Sequence, residues 1–377
     1  MDIARFSFPT AIHFGPGARS LVAEHLEKQG VKRPLIVTDK GLAALPILKD
    51  FGASLARLAV QIYPGVFGNP TTAQVNDGVK AFRAHSADCV IGFGGGAALD
   101  VAKAVALMAV HEGPVLEYAW DHPNVRPIKN PLPYFIALPT TSGTGSEVGR
   151  SAVISDDATH VKKIIFNPVL LARAVFADPE LTLDLPAGVT AATGMDALTH
   201  NVESYLSPAY HPLCDGIALE GARIAAHALE TAVAMPKNLA ARSDMMMASM
   251  MGAIAFQKDL GAVHSCAHAL GTVVDMHHGL ANGIMIDHVM RFNLDAAERK
   301  MAELARVCGA GSTGEAFVAW LTALKARVGI PAKLGGKGVT AAHIAKLVDV
   351  AVKDTCHQTN PKPVSAADFE RIFQGAL

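Results

Sequence analysis

Short runs of β-branched and aromatic residues recur in the first half of the chain: Leu35-Ile36-Val37-Thr38, Cys89-Val90-Ile91-Gly92-Phe93 and Tyr134-Phe135-Ile136-Ala137-Leu138. Glycine or hydroxyl residues follow, and then a helical pattern, over residues 18–29, 71–85 and 99–109. Strands alternating with helices predict an α/β domain with a mostly parallel sheet. A further short strand is expected over residues 6–14, ending at the turn Gly15-Pro16-Gly17. From about Asp184 onward strand-like runs become scarce. Long stretches rich in Ala, Leu, Met, Glu and Lys take over, such as residues 214–235 and 297–307, and predict a helical second domain. The change follows Asp178-Pro179-Glu180 and falls around Pro186-Ala187-Gly188, so the domains are expected at residues 1–185 and 186–377. The Met-rich stretch 245–251 reads as a core helix with adaptable filler.

With 377 residues, half of them hydrophobic, the chain can bury a large core. Lys and Arg number 33 against 34 acidic residues, with no long run of either sign, which argues against a nucleic-acid or membrane-surface partner. The five cysteines are scattered and contain no Cys-x-x-Cys, so no disulfide framework is expected and a reducing cytoplasm is the natural compartment. The N-terminus lacks the apolar core of a signal peptide, and apolar runs such as residues 101–110, broken by Lys103, are too short to span a membrane.

Asp196 and His200 are four apart, a spacing that puts both side chains on one face of a helix. His264 and His268 repeat the spacing, and His277-His278 follow, ahead of Gly279. Three imidazoles and one carboxylate suit a divalent first-row metal with an open position for substrate oxygen. Taken singly, each histidine is more often a satisfied core residue. Spacing alone leaves open which of the later histidines bind. Gly94-Gly95-Gly96-Ala97 follows a buried strand and opens a helix, where a phosphate can approach bare N–H groups, although the spacing is not G-x-G-x-x-G and a plain tight turn is the other reading. Asp39, at a strand end, can accept from both ribose hydroxyls and repel a 2′-phosphate; alternatively it caps a helix.

Asp-x-x-x-His, then His-x-x-x-His, then His-Gly, at these separations, resembles the signature of the iron-containing (group III) alcohol dehydrogenases, and the similarity runs over essentially the whole chain. The resemblance implies a dehydroquinate synthase-like fold, with an NAD-binding α/β domain and an all-α metal-binding domain that meet at a cleft holding the site, in a chain that forms a homodimer. It implies Asp196, His200, His264 and His278 as ligands of Fe²⁺, with Zn²⁺ as the alternative, and His268 beside the metal without binding it. Gly95, Gly96 and Ala97 become the pyrophosphate loop, with Ala97 standing where the family usually has serine. Thr140, Thr141, Thr144 and Lys162 match cofactor positions, and Ser151 and Cys356 match substrate-side positions. Arg150 stands where many members are neutral. The segment Ser146 to Ser151 looks similar to the branch that oxidises 4-hydroxybutyrate, as do residues 208–210 and 255–258. Arg150 is expected to pair with the carboxylate of an ω-hydroxy acid, a structural salt bridge being the other reading. His268 is the candidate proton relay, against a pocket-lining role. The expected activity is hydride transfer between NAD and a small alcohol or aldehyde. The rivals are glycerol oxidation or cyclisation on the same fold, and a non-catalytic nucleotide- and metal-binding scaffold.

Overall fold

The computed structural model describes residues 6–8, 10–159 and 161–377. Residues 1–5, on which the signal-peptide reading partly rests, and Pro9, within the strand expected over 6–14, lie outside the described residues. The chain forms two compact units: one of residues 10–141 and Ser146–Thr182, the other of residues 6–8, Ser142–Gly145 and Leu183–Leu377.

The first unit runs β1 (Ala11–Phe14), α1 (Val22–Lys28), β2 (Pro34–Asp39), α2 (Lys40–Ala43), α3 (Pro46–Ser54), β3 (Gln61–Val66), α4 (Thr72–His85), β4 (Cys89–Gly94), α5 (Gly96–Ala109), β5 (Tyr134–Pro139), β6 (Ser151–Ser155), β7 (Lys162–Phe166) and β8 (Ala174–Ala177). Six strands make one sheet in the order β1-β8-β5-β4-β2-β3. Every pairing in it is parallel. β2, β4 and β5 are the strands expected from the apolar runs; they lie side by side, and β4 is buried along its whole length. The core on one face packs Ile36, Ile91, Phe93, Ile136 and Phe176 against Val22, Leu26 and Phe51. The strand expected over 6–14 is shorter, beginning at Ala11. Residues 6–8 belong to the helical unit, where the Ser7 N–H donates to Gln257 Oε1 at 2.9 Å. The helix expected over 18–29 is a 3-10 turn at Ala18–Leu21 running into α1. β6 and β7 form a separate antiparallel pair that the apolar pattern did not reveal.

The second unit holds α6 (Ala187–Leu206), α7 (Pro212–Ala234), α8 (Leu239–Ala255), α9 (Ala262–Val274), α10 (His278–Val307), α11 (Gly314–Arg327), α12 (Ala341–Lys353) and α13 (Ala366–Ala376). The stretch expected as a helix over 297–307 is the last third of α10, starting at a break in helical geometry at Ala297. Met245, Met246 and Met250 are buried on α8, filling the helix core as the sequence suggested. Among the described residues no helix is long and apolar enough to cross a membrane.

Candidate metal and cofactor sites

In the helical unit, α6 carries Asp196 and His200 on one face, α9 carries His264, and α10 begins with His278. The pair His277-His278 divides its work. His277 is the exposed N-cap of α10 and accepts from the Leu280 N–H, while His278 turns inward. Gly279 makes this possible, because a Cβ there would lie 2.3 Å from the Ala192 carbonyl oxygen; only glycine lets the start of α10 sit directly on α6. From Asp196 Oδ1 the distances are 3.4 Å to His278 Nε2, 3.8 Å to His264 Nε2 and 3.9 Å to His200 Nε2. A tetrahedral cation with bonds of about 2.1 Å holds its donors about 3.4 Å apart, so the four atoms are spaced slightly wider than such a cation would hold them and could close on one. Burial drives the His200 imidazole down to about 4, with Asp196 opposing only in part, which leaves a neutral ring with a lone pair to give. At His264 burial also disfavours the charged ring, but the hydrogen bond and charge of Glu203 outweigh it and raise the pKa.

Three polar residues around this cluster escaped the sequence reading. Glu203 Oε2 lies 2.6 Å from His264 Nδ1. The Asn282 amide donates to Asp196 Oδ1 at 2.7 Å and lies 3.2 Å from His278 Nε2. Asp354 accepts from Ser265 Oγ at 2.7 Å and the Cys356 N–H at 2.9 Å through Oδ1, with His268 Nδ1 at 2.7 Å from Oδ2. Two of the three carried a local signal: Glu203 is seven residues after Asp196 on the same face of α6, and Asn282 is four after His278 on α10. His268 is not one of the four clustered donors; its ring stacks on His278 at 5.3 Å and is 23% exposed. His268, Asp354 and Cys356 also lie close enough together to suggest a second cation site. Asp354 already takes three hydrogen bonds, two of them on Oδ1. Burial favours its neutral acid, yet His268, Ser265 and the Cys356 N–H hold it well below the carboxylate range. Burial, aided by Asp354, pushes the Cys356 thiol up, which favours its neutral form.

In the α/β unit a cavity of about 340 Å³ opens at the carboxyl ends of the strands, lined by Asp39, Lys40, Phe67, Gly95, Ala97 and Ala98 among others. Gly94 has φ +155°, and a Cβ there would meet Ala98 Cβ at 2.6 Å, so glycine is required where β4 turns into α5. α5, which starts at Gly96, has no side-chain cap, and its first-turn N–H groups remain available to an anion. Thr140 donates its N–H to the Gly94 carbonyl at 3.0 Å, and the Thr141 side chain packs at Gly95. Asp39 is a helix cap, accepting from the Leu42 N–H at 2.8 Å through Oδ1, and it lines the cavity as well. Thr144 and Lys162 do not line it: Thr144 lies in the segment Ser142–Gly145 of the helical unit, and Lys162 opens β7, its charge acting on Asp100. Arg150 lies over the Phe166 ring at 5.2 Å and makes no ion pair among the described residues. Its neighbour Ser151 starts β6 in the α/β unit, whereas Cys356 belongs to the helical unit. A buried network also went unread: Lys103 Nζ donates to Ser146 Oγ at 2.8 Å and to the Ser151 carbonyl at 2.7 Å, and Ser146 Oγ donates to Asp100 at 2.6 Å.

A parallel-sheet unit with an anion-ready helix start, joined in one chain to a helical unit with a four-donor cation shell, is the equipment of a metal-assisted oxidoreductase. Residues 9–179 match the family model for iron-containing alcohol dehydrogenase and residues 190–377 the model for the C-terminal part of the Fe-containing alcohol dehydrogenase family. The chain belongs to the iron-containing alcohol dehydrogenase family. It is 40% identical to 4-hydroxybutyrate dehydrogenase of Cupriavidus necator, over 98% of each chain. The crystal structure of a 1,3-propanediol oxidoreductase superposes with a TM-score of 0.95 at 37% identity, covering 100% of both chains. That of sulfoacetaldehyde reductase from Bifidobacterium kashiwanohense in complex with NAD⁺ gives 0.90 at 27% identity, covering 100% of this chain and 99% of the other.

Proposed function

We propose that the protein is a metal-dependent, NAD-linked alcohol dehydrogenase that exchanges a hydride between NAD and a short alcohol with an anionic far end, an ω-hydroxy acid such as 4-hydroxybutyrate or its semialdehyde. The observation that carries this is the four-donor cluster of Asp196, His200, His264 and His278 in a chain of this family. When bound, Fe²⁺ or Zn²⁺ supplies a Lewis acid that lowers the pKa of the substrate hydroxyl. Buried neutral His200 contributes a lone pair without a proton to displace, and Asp196 the negative charge that favours a divalent ion.

The open start of α5 at Gly95, Gly96 and Ala97 receives the pyrophosphate, with Thr140 and Thr141 fixing the loop and Asp39 facing the ribose. On the family resemblance, Thr144 and Lys162 are further cofactor contacts. Asp354 holds the His268 ring by Nδ1, so Nε2 is left to take the substrate proton and pass it to solvent. Arg150, with no ion-pair partner among the described residues, receives the substrate's anion in the α/β unit beside Ser151, and Cys356 of the helical unit is a substrate-side position on the family resemblance. The likeness to a 4-hydroxybutyrate dehydrogenase supports this substrate class, and sulfoacetaldehyde is likewise an anionic aldehyde. A cytoplasmic homodimer is part of the same proposal; the five free thiols suit a reducing compartment.

The test is anaerobic NAD reduction by metal-stripped protein reloaded separately with Fe²⁺ and Zn²⁺, offered 1,3-propanediol and 4-hydroxybutyrate. Metal-dependent NADH formation is the expected result, and absence of turnover with every alcohol despite bound metal and NAD defeats the proposal. Arg150→Ala is expected to raise KM at least tenfold for 4-hydroxybutyrate and little for the diol; an equal rise for both removes the anion-binding role.

A further inference from the structure

The backbone N–H groups that open α9 have no cap of their own, since the N-cap residue is Gly261. They are met from outside the helix. The Ala262 N–H donates to Asn360 Oδ1 at 3.2 Å, the Val263 N–H to Glu203 Oε1 at 2.7 Å and the His264 N–H to Glu203 Oε2 at 3.3 Å. The same Glu203 Oε2 lies 2.6 Å from His264 Nδ1. The carboxylate reaches this point because position 261 is glycine: a Cβ there would be 2.6 Å from Glu203 Oε1. Its side chain is 1% exposed, and a charge so deeply buried persists only where donors surround it. Here two backbone N–H groups, an imidazole and the positive end of a helix do so.

An ionised carboxylate only accepts hydrogen bonds, so the proton of a neutral His264 must sit on Nδ1. The lone pair is then on Nε2, the atom that faces Asp196 Oδ1 at 3.8 Å within the cation shell. We infer that Glu203 is a positioning residue for the metal: by capping α9 and fixing the ring of His264 in one tautomer, it presents Nε2 to the cation and sets how tightly the cation is held. The inference rests on the metal reading above. Glu203 also shares α6 with Asp196 and His200, so a single helix supplies two donors and the group that aims a third.

Glu203→Gln separates aiming from capping. A glutamine can still accept from a backbone N–H, but its amide can donate to Nδ1 and drive the proton to Nε2, where it blocks coordination. Asn360→Ala is the comparison, because it removes the other partner of the α9 start and leaves His264 Nδ1 bonded to Glu203. Full-length, metal-stripped protein is titrated with Zn²⁺ against a competing chromophoric chelator. Glu203→Gln is expected to weaken Zn²⁺ binding on the order of 10- to 100-fold, and Asn360→Ala to lower the melting temperature with affinity within about threefold of the parent. Independently of either variant, ¹⁵N spectra of the Zn²⁺-loaded parent are expected to show the His264 proton on Nδ1, shifted by a strong hydrogen bond. Equal Zn²⁺ affinity for parent and Glu203→Gln, or a His264 proton on Nε2, overturns this inference alone; a parent that binds no Zn²⁺ or Fe²⁺ overturns the metal reading beneath it.

Discussion

Asp39 does two jobs with one carboxylate, capping α2 through Oδ1 and turning its charge to the cavity. Asn caps a helix about as well as Asp, so Asp39→Asn should leave the melting temperature nearly unchanged while removing the charge that repels a 2′-phosphate. Lys40, on the cavity wall over the Phe67 ring, is then a cation with no facing carboxylate from position 39. The expected result is a rise of about tenfold or more in the NADP-to-NAD ratio of kcat/KM, read by steady-state kinetics with each cofactor. Glu147 gives a pH signature. It is buried, and burial raises its carboxyl to about 7 against an ordinary 4.5, Lys103 opposing only in part. Below about 4.5 it is protonated both folded and unfolded; as pH rises to 7 only the unfolded chain releases the proton, so folding loses roughly 3 kcal/mol across that window and no more above it. Glu147→Gln should flatten that slope, seen as denaturation midpoints of metal-free protein that differ from the parent at pH 8 but not at pH 4.5. At this scale the sequence displayed residues whose partners are neighbours along one helix, Asp196 with His200 above all. The bond from Glu203 to His264 joins residues 61 apart and that from Asp354 to His268 residues 86 apart, and no local period encodes such a meeting.

Among the elements, α5 is held to β6 and the loop before it by a buried ammonium. Burial pulls Lys103 down and pushes Asp100 up, each shift opposed in part by the partner's opposite charge, and hydrogen bonds through Ser146 and to the Ser151 carbonyl tie the pair together. Lys103→Met keeps the stem's bulk but strands Asp100 and Glu147 without a cation, at a cost of about 3–5 kcal/mol. Adding Asp100→Asn should recover part of the loss, a coupling measurable by a double-mutant cycle of denaturation midpoints. Because Lys103 grips the Ser151 backbone beside Arg150, the KM for the anionic alcohol should also rise in the single variant. β2, β4 and β5 were legible because both faces of a parallel sheet are covered, which forces continuous apolar runs. β3 is a half-exposed edge with Pro64 and Gly65 inside it, and β6 and β7 are a short pair rich in Ser and Lys; neither arrangement imposes such a run.

For the whole molecule, the cation donors lie entirely in the helical unit, and the cavity at the glycine loop entirely in the α/β unit. A ligand stabilises what it binds by mass action, about 2.7 kcal/mol at a free concentration 100 times its Kd. Zn²⁺ and NAD⁺ should therefore protect different stretches of chain from hydrogen exchange. Zn²⁺ should slow exchange at the turns of α6, α9 and α10 that hold Asp196, His200, His264 and His278, because four donors from three helices become one cross-linked shell. NAD⁺ should slow it around Asp39, the first turn of α5 and Thr140-Thr141. Hydrogen exchange read by mass spectrometry on metal-stripped protein, with each ligand added alone and then both, tests this directly. If Zn²⁺ protects only its own stretches and NAD⁺ only its own, each half of the chemistry is built within its own unit. Protection by Zn²⁺ around α5 with NAD⁺ absent would instead mean that the metal organises the nucleotide loop.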